Sequence, residues 1–155
     1  MSKLTSKSGF TLIEVLLAAT IMAFCLSGLL LTYINLFTLT DLSRDFTLAA
    51  NGLQLEMERL KVAGWADLSA MNGTQFNISG FNTSQSRGFI EITNTSYADL
   101  KEARLVFSFL ARGRLIGEDA NFNGLLDISS GEDLNDNDRL DSPAELVTLF
   151  TNFTN

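Results

Sequence analysis

The stretch Gly9-Phe10-Thr11-Leu12-Ile13-Glu14-Val15-Leu16-Leu17 joins a short basic leader to a long apolar run. Between Phe10 and Thr40 the only side chain that is charged at neutral pH belongs to Glu14. A carboxylate in lipid costs on the order of 2–4 kcal/mol, and acids within membrane segments usually have a function. Because no nearby residue supplies a counter-charge, we expect the partner of Glu14 to lie on another subunit.

The apolar run is longer than the roughly 20 residues that cross a bilayer as a helix. Lys3 and Lys7 precede it, and basic residues before a span keep that end in the cytoplasm. The chain after Thr40 is then expected outside the cytoplasm. An ordinary signal anchor and a cleaved secretory signal are alternatives, but the run exceeds the usual ~7–15 apolar residues of a cleaved secretory signal. Neither alternative explains Glu14.

These residues resemble the processing and assembly signal of type IV prepilins and pseudopilins: Gly, Phe, apolar residues and a Glu at the fifth position after the cut. The resemblance covers roughly the first 30 residues. It implies cleavage between Gly9 and Phe10 by a prepilin peptidase, methylation of Phe10, and a role for Glu14 in assembly with other pilin subunits. It also implies a bacterial inner-membrane protein that enters a periplasmic or surface filament.

After Asp41 the sequence predicts an amphipathic continuation of the same helix. Apolar residues recur at three- and four-residue spacing, which places them on one helical face; they are Leu42, Phe46, Ala49, Leu53, Met57 and Leu60. Gly64 is expected to stop the helix. The predicted organisation is a leader (1–9), a transmembrane or filament-core helix (10–40), its amphipathic continuation (41–63) and a small β-rich domain (64–155).

Residues 65–88 are rich in Asn, Ser, Thr and Gly, which is typical of a loop region, here with one short strand at 75–78. Apolar runs predict strands at 89–93, 105–110 and 145–150, with 97–102 as a turn or linker. Three or four antiparallel strands against the helix make an α+β fold. A long helix followed by a small sheet is also what the pilin resemblance implies.

The chain has no His, and its one Cys, Cys25, lies in the apolar run. It therefore lacks the commonest general base and the commonest transition-metal ligand, so we do not expect an enzyme. Nine acids and one base lie between Glu118 and Glu145, giving this segment a net charge of −8 in a chain of net charge −7. Nucleic-acid phosphate would be repelled there, whereas a cation would be attracted.

The acidic segment (117–145) contains a repeat with a period of 14. Gly117–Asp127 and Gly131–Asp141 are identical at seven of eleven positions. The first copy resembles the calcium loop of EF-hand and dockerin-type repeats, with Gly124 at the sharp turn, whereas the second copy has Asp138 there. The ligands that this pattern predicts are Asp119, Asn121, Asn123, the Leu125 carbonyl, Asp127 and Glu132, then Asp133, Asn135, Asn137, the Arg139 carbonyl, Asp141 and Glu145.

We therefore expect one or two calcium ions, with the first copy as the better site because it has Gly124 at the turn where the second has Asp138. Both copies depart from the pattern at the twelfth position, where Ser130 and Ala144 replace the expected bidentate Glu. A solvated acidic turn is the alternative for this segment. The most economical function is a minor pilin or pseudopilin of a type IV pilus or type II secretion filament. A membrane-anchored, calcium-dependent adhesin that does not polymerise is the alternative, and it has no use for Glu14.

Overall fold

A computed structural model describes residues 9–152. Helix α1 spans Leu12–Ala63, and contacts divide the chain into two compact units, with the boundary after Asp41. In the first unit, α1 exposes its apolar side chains throughout. The most apolar 18-residue window of α1 has a mean hydropathy of 2.3, and the helix is long enough to cross a membrane. Lys3 and Lys7, on which the expected orientation depends, lie outside the described residues.

In the second unit, residues 42–63 of α1 bury the predicted apolar face. Ala49, Leu53, Met57 and Leu60 are at most 3% exposed, and Leu42 and Phe46 are partly buried against the same core. Their spacing of three or four residues keeps the side chains on one side of the helix. This face packs on the sheet, so the predicted continuation of the helix is confirmed.

The segment after α1 is more ordered than the predicted loop region. Gly64 takes φ 81°, a left-handed conformation that ends the helix. A short helix α2 follows at Trp65–Leu68, and a 3-10 turn spans Ser69–Met71. Leu68 is buried in the core, which explains why this polar stretch folds back on the domain.

The sheet has five antiparallel strands: β1 (Gln75–Phe76), β2 (Ser86–Asn94), β3 (Leu100–Ala111), β4 (Arg114–Ile116) and β5 (Glu145–Thr151). On one side of the long strand β3 lies β2. On its other side, β5 pairs with residues 100–106 and β4 with residues 109–111. The predicted α+β fold, with a long helix packed on a small antiparallel sheet, is confirmed.

Three details of the strand prediction were wrong. The linker predicted at 97–102 ends early, because β3 begins at Leu100 and pairs there with β5. The first strand stops at Phe76, although the buried Ile78 continues the apolar alternation. The short strand β4 was missed, because three residues are too few to show a strand pattern in the sequence. Arg112 and Gly113, both with positive φ, make the tight turn that joins it to β3.

The two faces of the sheet are covered by different parts of the chain. Leu105, Phe107 and Phe109 are fully buried in the core that contains α1. On the opposite face, Ser108 is buried, and the loop after β4 approaches it so closely that a side chain at Gly117 would collide with the Ser108 hydroxyl. The acidic segment therefore forms a third layer over the sheet.

Candidate functional site

The N-terminus of α1 is closed by three reciprocal hydrogen bonds between Thr11 and Glu14. The backbone N–H and the hydroxyl of Thr11 both donate to Glu14 Oε2 at 2.9 Å. The Glu14 N–H donates to Thr11 Oγ1 at 3.3 Å. This arrangement is a capping box, in which two residues satisfy N–H groups that the first turn leaves unpaired. Within a single chain, the Glu14 carboxylate is therefore hydrogen-bonded by Thr11.

Two consecutive 14-residue loops connect β4 to β5, and we call them the first acidic loop (117–130) and the second acidic loop (131–144). They coincide with the two copies of the sequence repeat. Gln75 Nε2 donates to the Asn123 carbonyl, and Arg87 Nε donates to the Phe122 carbonyl at 3.1 Å. These bonds join the first acidic loop to β1 and β2.

The first acidic loop folds around the Asp119 carboxylate. Asp119 accepts from the backbone N–H groups of Asn123 and Gly124 at 3.0 and 2.8 Å. At the far end of the loop, Asp127 Oδ2 accepts from the side-chain amides of Asn121 and Asn123 at 2.7 and 2.8 Å. Burial of Asp119 raises the pKa of its carboxyl, although the donors from Gly124 and Asn123 lower it. A buried acid with a raised pKa favours a proton or a cation beside it.

The second acidic loop repeats this framework with a shift of 14 residues. Asp133 accepts from the backbone N–H groups of Asn137 and Asp138 at 3.0 and 2.9 Å. Asp141 Oδ2 accepts from the side-chain amides of Asn135 and Asn137 at 2.8 and 2.6 Å. These four bonds recur in both loops, which shows that the sequence repeat is also a structural repeat.

Backbone conformation is repeated as well. Phe122 and Gly124 take φ angles of 57° and 72°, and the equivalent residues Asp136 and Asp138 take 56° and 57°. Gly adopts this left-handed region without a steric penalty, whereas Asp does so at some cost. The second acidic loop therefore keeps the turn of the first, but with a strained residue where the first has Gly124.

Glu132 is the second residue of the second acidic loop, yet its carboxylate accepts hydrogen bonds from the first. Its Oε1 accepts from the N–H groups of Ala120 and Asn121 at 3.0 and 3.3 Å, and its Oε2 accepts from the N–H of Asp127 at 3.0 Å. The side chain is 2% exposed. Both of its oxygens are thus occupied by backbone donors.

Glu118, the equivalent residue of the first acidic loop, serves the second in the same way. Its Oε1 accepts from the Leu134 N–H at 3.2 Å, and its Oε2 accepts from the Asp141 N–H at 2.9 Å. Leu134 and Asp141 correspond, 14 residues on, to the Ala120 and Asp127 donors of Glu132. Each loop therefore supplies the carboxylate that closes the other.

Arg104, which is 4% exposed on β3, connects the second acidic loop to the sheet. Its guanidinium donates to Glu91 at 3.1 Å, to Glu145 at 2.9 Å and to Asp141. Burial lowers the pKa of Arg104, but the three carboxylates raise it by more than burial lowers it. The guanidinium therefore stays charged. Arg139 adds a bond of 3.1 Å to Glu91.

The predicted calcium ligands fall into two groups. In each loop the first, third, fifth and ninth positions form one hydrogen-bonded unit, so the structure brings Asp119, Asn121, Asn123 and Asp127 together and, separately, Asp133, Asn135, Asn137 and Asp141. Glu145 instead pairs with Arg104. Among residues 9–152, no three His, Cys, Asp or Glu side chains converge as a metal group. The candidate ligand oxygens of each loop come from two carboxylates and two side-chain amides, a set that suits calcium.

Arg104, Arg87 and Gln75 were not identified from the sequence. Arg104 is the one base that precedes the apolar run Leu105–Leu110, and a charged residue in a strand otherwise buried on both faces is a signal of a buried ion pair. Arg87 and Gln75 carry no such signal, because the carbonyls that they bind lie 35 and 48 residues away in the chain.

Residues 4–30 match the family described as the prokaryotic N-terminal methylation motif. The comparison with curated proteins found no match. The comparison with solved structures likewise found none. The match contains Gly9, Phe10 and Glu14, together with the Thr11–Glu14 capping box and the first part of the exposed apolar helix. The chain therefore carries the N-terminal signal of the type IV prepilin and pseudopilin family.

Proposed function

We propose that this protein is a minor pilin or pseudopilin, a structural subunit of a type IV pilus or type II secretion filament. The observation that carries the proposal is the methylation motif at residues 4–30, continued by an exposed apolar helix. Prepilin peptidase would cut between Gly9 and Phe10 and methylate Phe10. The protein is then a substrate of two reactions and not itself an enzyme.

The position of Glu14 supports assembly rather than simple anchoring. In a single chain the N–H and the hydroxyl of Thr11 donate the hydrogen bonds that hold the carboxylate. A neutral hydroxyl does not neutralise a charge in lipid, and an uncompensated intramembrane acid is costly. Cleavage after Gly9 creates a positive amine on Phe10, and the amine of a neighbouring subunit would offset the burial of both charges.

Intact mass and N-terminal sequencing of protein purified from its native membrane test the proposal. We expect a mature chain that starts at Phe10 and carries one additional methyl group. A Gly9→Leu variant should remain uncut, because the peptidase requires a small residue before the bond, while Gly28→Leu is the matched control within the same apolar run. A mature chain that begins elsewhere or retains Met1 contradicts the proposal.

We place the N-terminus in the cytoplasm and residues 64–155 in the periplasm or on the cell surface. The apolar helix and the motif fit inner-membrane anchoring. The competing function is a calcium-dependent adhesin that is anchored but never polymerises. Cross-linking in native membranes distinguishes the two, because a filament subunit yields a ladder of multimers with other pilin subunits and an anchored adhesin does not.

We also propose that the acidic loops bind calcium, with the first loop as the stronger site. The pairing of Asp119, Asn121, Asn123 and Asp127 in one loop, and the burial of Asp119, support this assignment. In the second loop Asp141 is already paired with the Arg104 guanidinium, which supplies part of the charge compensation that an ion would bring. One ion is therefore expected to bind more tightly than a second.

Thermal unfolding of the full chain in detergent, followed by the fluorescence of Trp65, tests calcium binding. An ion that binds only the folded state stabilises it by about 2.7 kcal/mol at 100 times its dissociation constant. We expect a higher melting temperature in millimolar calcium than in chelator, and a smaller gain with magnesium. Asp119→Ala should abolish most of the gain and Asp133→Ala less, with Asp99→Ala as the control. A melting temperature indifferent to calcium would leave the loops as solvated acidic turns.

A further inference from the structure

The two sides of the sheet differ in whether the backbone groups of their long outer strands are hydrogen-bonded. At β2 the segment before β1 closes the edge: the Gly73 N–H donates to the Ile90 carbonyl at 2.8 Å, and the Ile90 N–H donates to the Thr74 carbonyl at 3.0 Å. The side chain of Asn72 accepts from the Ile92 N–H at 2.8 Å. Strand β5, by contrast, pairs with β3 on one side, and its outer side has no backbone partner among residues 9–152.

The outward groups of β5 follow from its pairing with β3. The Phe107 N–H donates to the Ala144 carbonyl, and the Asn152 N–H donates to the Asp99 carbonyl, so the even-numbered residues of β5 face β3. In an antiparallel ladder the backbone groups alternate in direction. The odd-numbered residues therefore point their N–H and C=O groups away from the sheet; they are Glu145, Val147, Leu149 and Thr151.

The open edge is also apolar. Val147 and Leu149 are 46% and 56% exposed, and they lie on the same face of β5. The strand contains no Lys and no Pro, the residues that usually protect an edge strand from pairing with another chain. An unprotected edge of seven residues is the geometry that accepts an additional β-strand.

We propose that the outer edge of β5 pairs antiparallel with β5 of a second copy of this chain, about a two-fold axis at Thr148. In this register, Val147 of each copy lies opposite Leu149 of the other copy. It also sets Glu145, the one charged residue of the strand, opposite Thr151, so no like charges face each other. Odd-numbered residues meet odd-numbered residues, so outward N–H groups meet outward carbonyls.

The pairing stops at two copies, because each copy has one β5 and its outer edge is used in the contact. A two-fold contact of this kind uses the same surface on both partners and forms a closed dimer. The net charge of −7 on each copy opposes association, and this repulsion is screened by salt. The dimer is therefore expected to strengthen as ionic strength rises, the opposite of a contact built on ion pairs.

The direction of α1 decides which copies can pair. Phe46 lines the same groove as Pro143, and Lys61 lines the same groove as Thr148, so residues 42–63 run in the same direction as β5. Two-fold pairing sets these helix segments antiparallel. Neighbours in one filament share their direction, so, given the proposed filament, the contact joins copies of two oppositely directed filaments.

The test is the oligomeric state of the full chain in detergent, measured by light scattering on a size-exclusion column at low and high salt. We expect a concentration-dependent dimer that is stronger at high salt. Val147→Lys should raise the dimer dissociation constant at least about tenfold, because it places a charge in the apolar cross-strand pair. Leu125→Lys, at a side chain that is 54% exposed in the first acidic loop, is the matched control and should leave the dimer intact.

Val147→Pro provides a second variant, because it removes an outward N–H while the ladder to β3 keeps all of its donors. Amide exchange of residues 145–151 gives an independent readout: the outward amides should be protected in the dimer and should exchange in Val147→Pro. A monomer at every concentration, or a dimer that both β5 variants leave unchanged, overturns the proposal. Neither result bears on cleavage at Gly9, so failure of the filament assignment would be recognised separately.

Discussion

Glu118 and Glu132 hold equivalent positions in the two acidic loops, and each carboxylate accepts the backbone N–H groups of the other loop. Both side chains are buried, at 7% and 2% exposure. The exchange means that neither loop is complete alone, because the acceptor that closes each loop is supplied by the other. Equivalent residues of the sequence repeat thus make the two loops depend on each other in the fold.

Replacement of Glu132 by Ala should destabilise the domain by about 2–3 kcal/mol, since it leaves the N–H groups of Ala120, Asn121 and Asp127 without their acceptor. Glu118→Ala should cost somewhat less, because it removes two bonds rather than three. Unfolding by denaturant, followed by Trp65 fluorescence, measures both. Asp99→Ala on the exposed turn before β3 is the control. The double variant should cost less than the sum of the two, and strict additivity would contradict the mutual dependence.

Arg104→Met should be among the most destabilising substitutions in the chain, at about 3 kcal/mol, because it leaves three carboxylates gathered around an uncharged side chain. Arg104→Lys should recover only part of the loss, since an ammonium group cannot bridge Glu91, Asp141 and Glu145 as the planar guanidinium does. Arg114→Met, an exposed base on β4, is the control. A Lys variant as stable as the wild type would show that bridging is unimportant, because a single ammonium charge would then suffice.

Asp138→Gly should stabilise the protein by about 1 kcal/mol, because the residue has φ 57° and its left-handed conformation is strained for any side chain. The reverse substitution, Gly124→Asp in the first acidic loop, should destabilise it, since a side chain at Gly124 would also press on Gln75 at 2.8 Å. Melting temperatures of the two variants, compared in chelator, check the pair. The same sign of change for both would contradict the repeated backbone conformation.

Stability should depend on the ionisation of Asp141. Burial raises the pKa of its carboxyl, but the amides of Asn135 and Asn137 and the Arg104 guanidinium lower it more, so the folded-state pKa lies below the ordinary value of 3.8. The stabilisation is therefore present above pH 3.8 and is lost as the pH falls through the folded-state pKa. The stability difference between the wild type and Asp141→Asn should be large at pH 7 and shrink in acid. A difference that is constant from pH 7 to pH 3 would contradict the assigned pKa direction.

Glu14→Ala should still insert into the membrane but should enter filaments poorly, because the apolar run is unchanged while the charge that a neighbouring subunit's amine would pair with is lost. Fractionation and filament yield at native expression levels measure the two effects. Thr11→Val, which removes the hydroxyl donor to Glu14 but keeps the charge, is the informative companion. Normal incorporation of Glu14→Ala would show that the acid has no role in assembly.

The helix and the N-terminal signal were predictable because their determinants are local. A 3.6-residue period places Leu53, Met57 and Leu60 on one face whatever they pack against, and a lone acid in an apolar run is visible without any structure. The repeat of 14 was equally visible, and the hydrogen bonds within each loop involve residues at most six positions apart. Strand ends were less predictable, because β3 is extended to Leu100 by its pairing with a strand 45 residues later.

By itself, therefore, the sequence determined the signal around Glu14, the long amphipathic helix and the internal design of each acidic loop, since all of these depend on residues within one or two turns of each other. The tertiary structure alone decided which carboxylate closes which loop, that Arg104 pairs with Asp141, and that the outer side of β5 has no backbone partner among residues 9–152. These depend on contacts from one loop to the other and from the second loop to the sheet, up to 41 positions apart, where the chain path, and not the local spacing, brings the partners together.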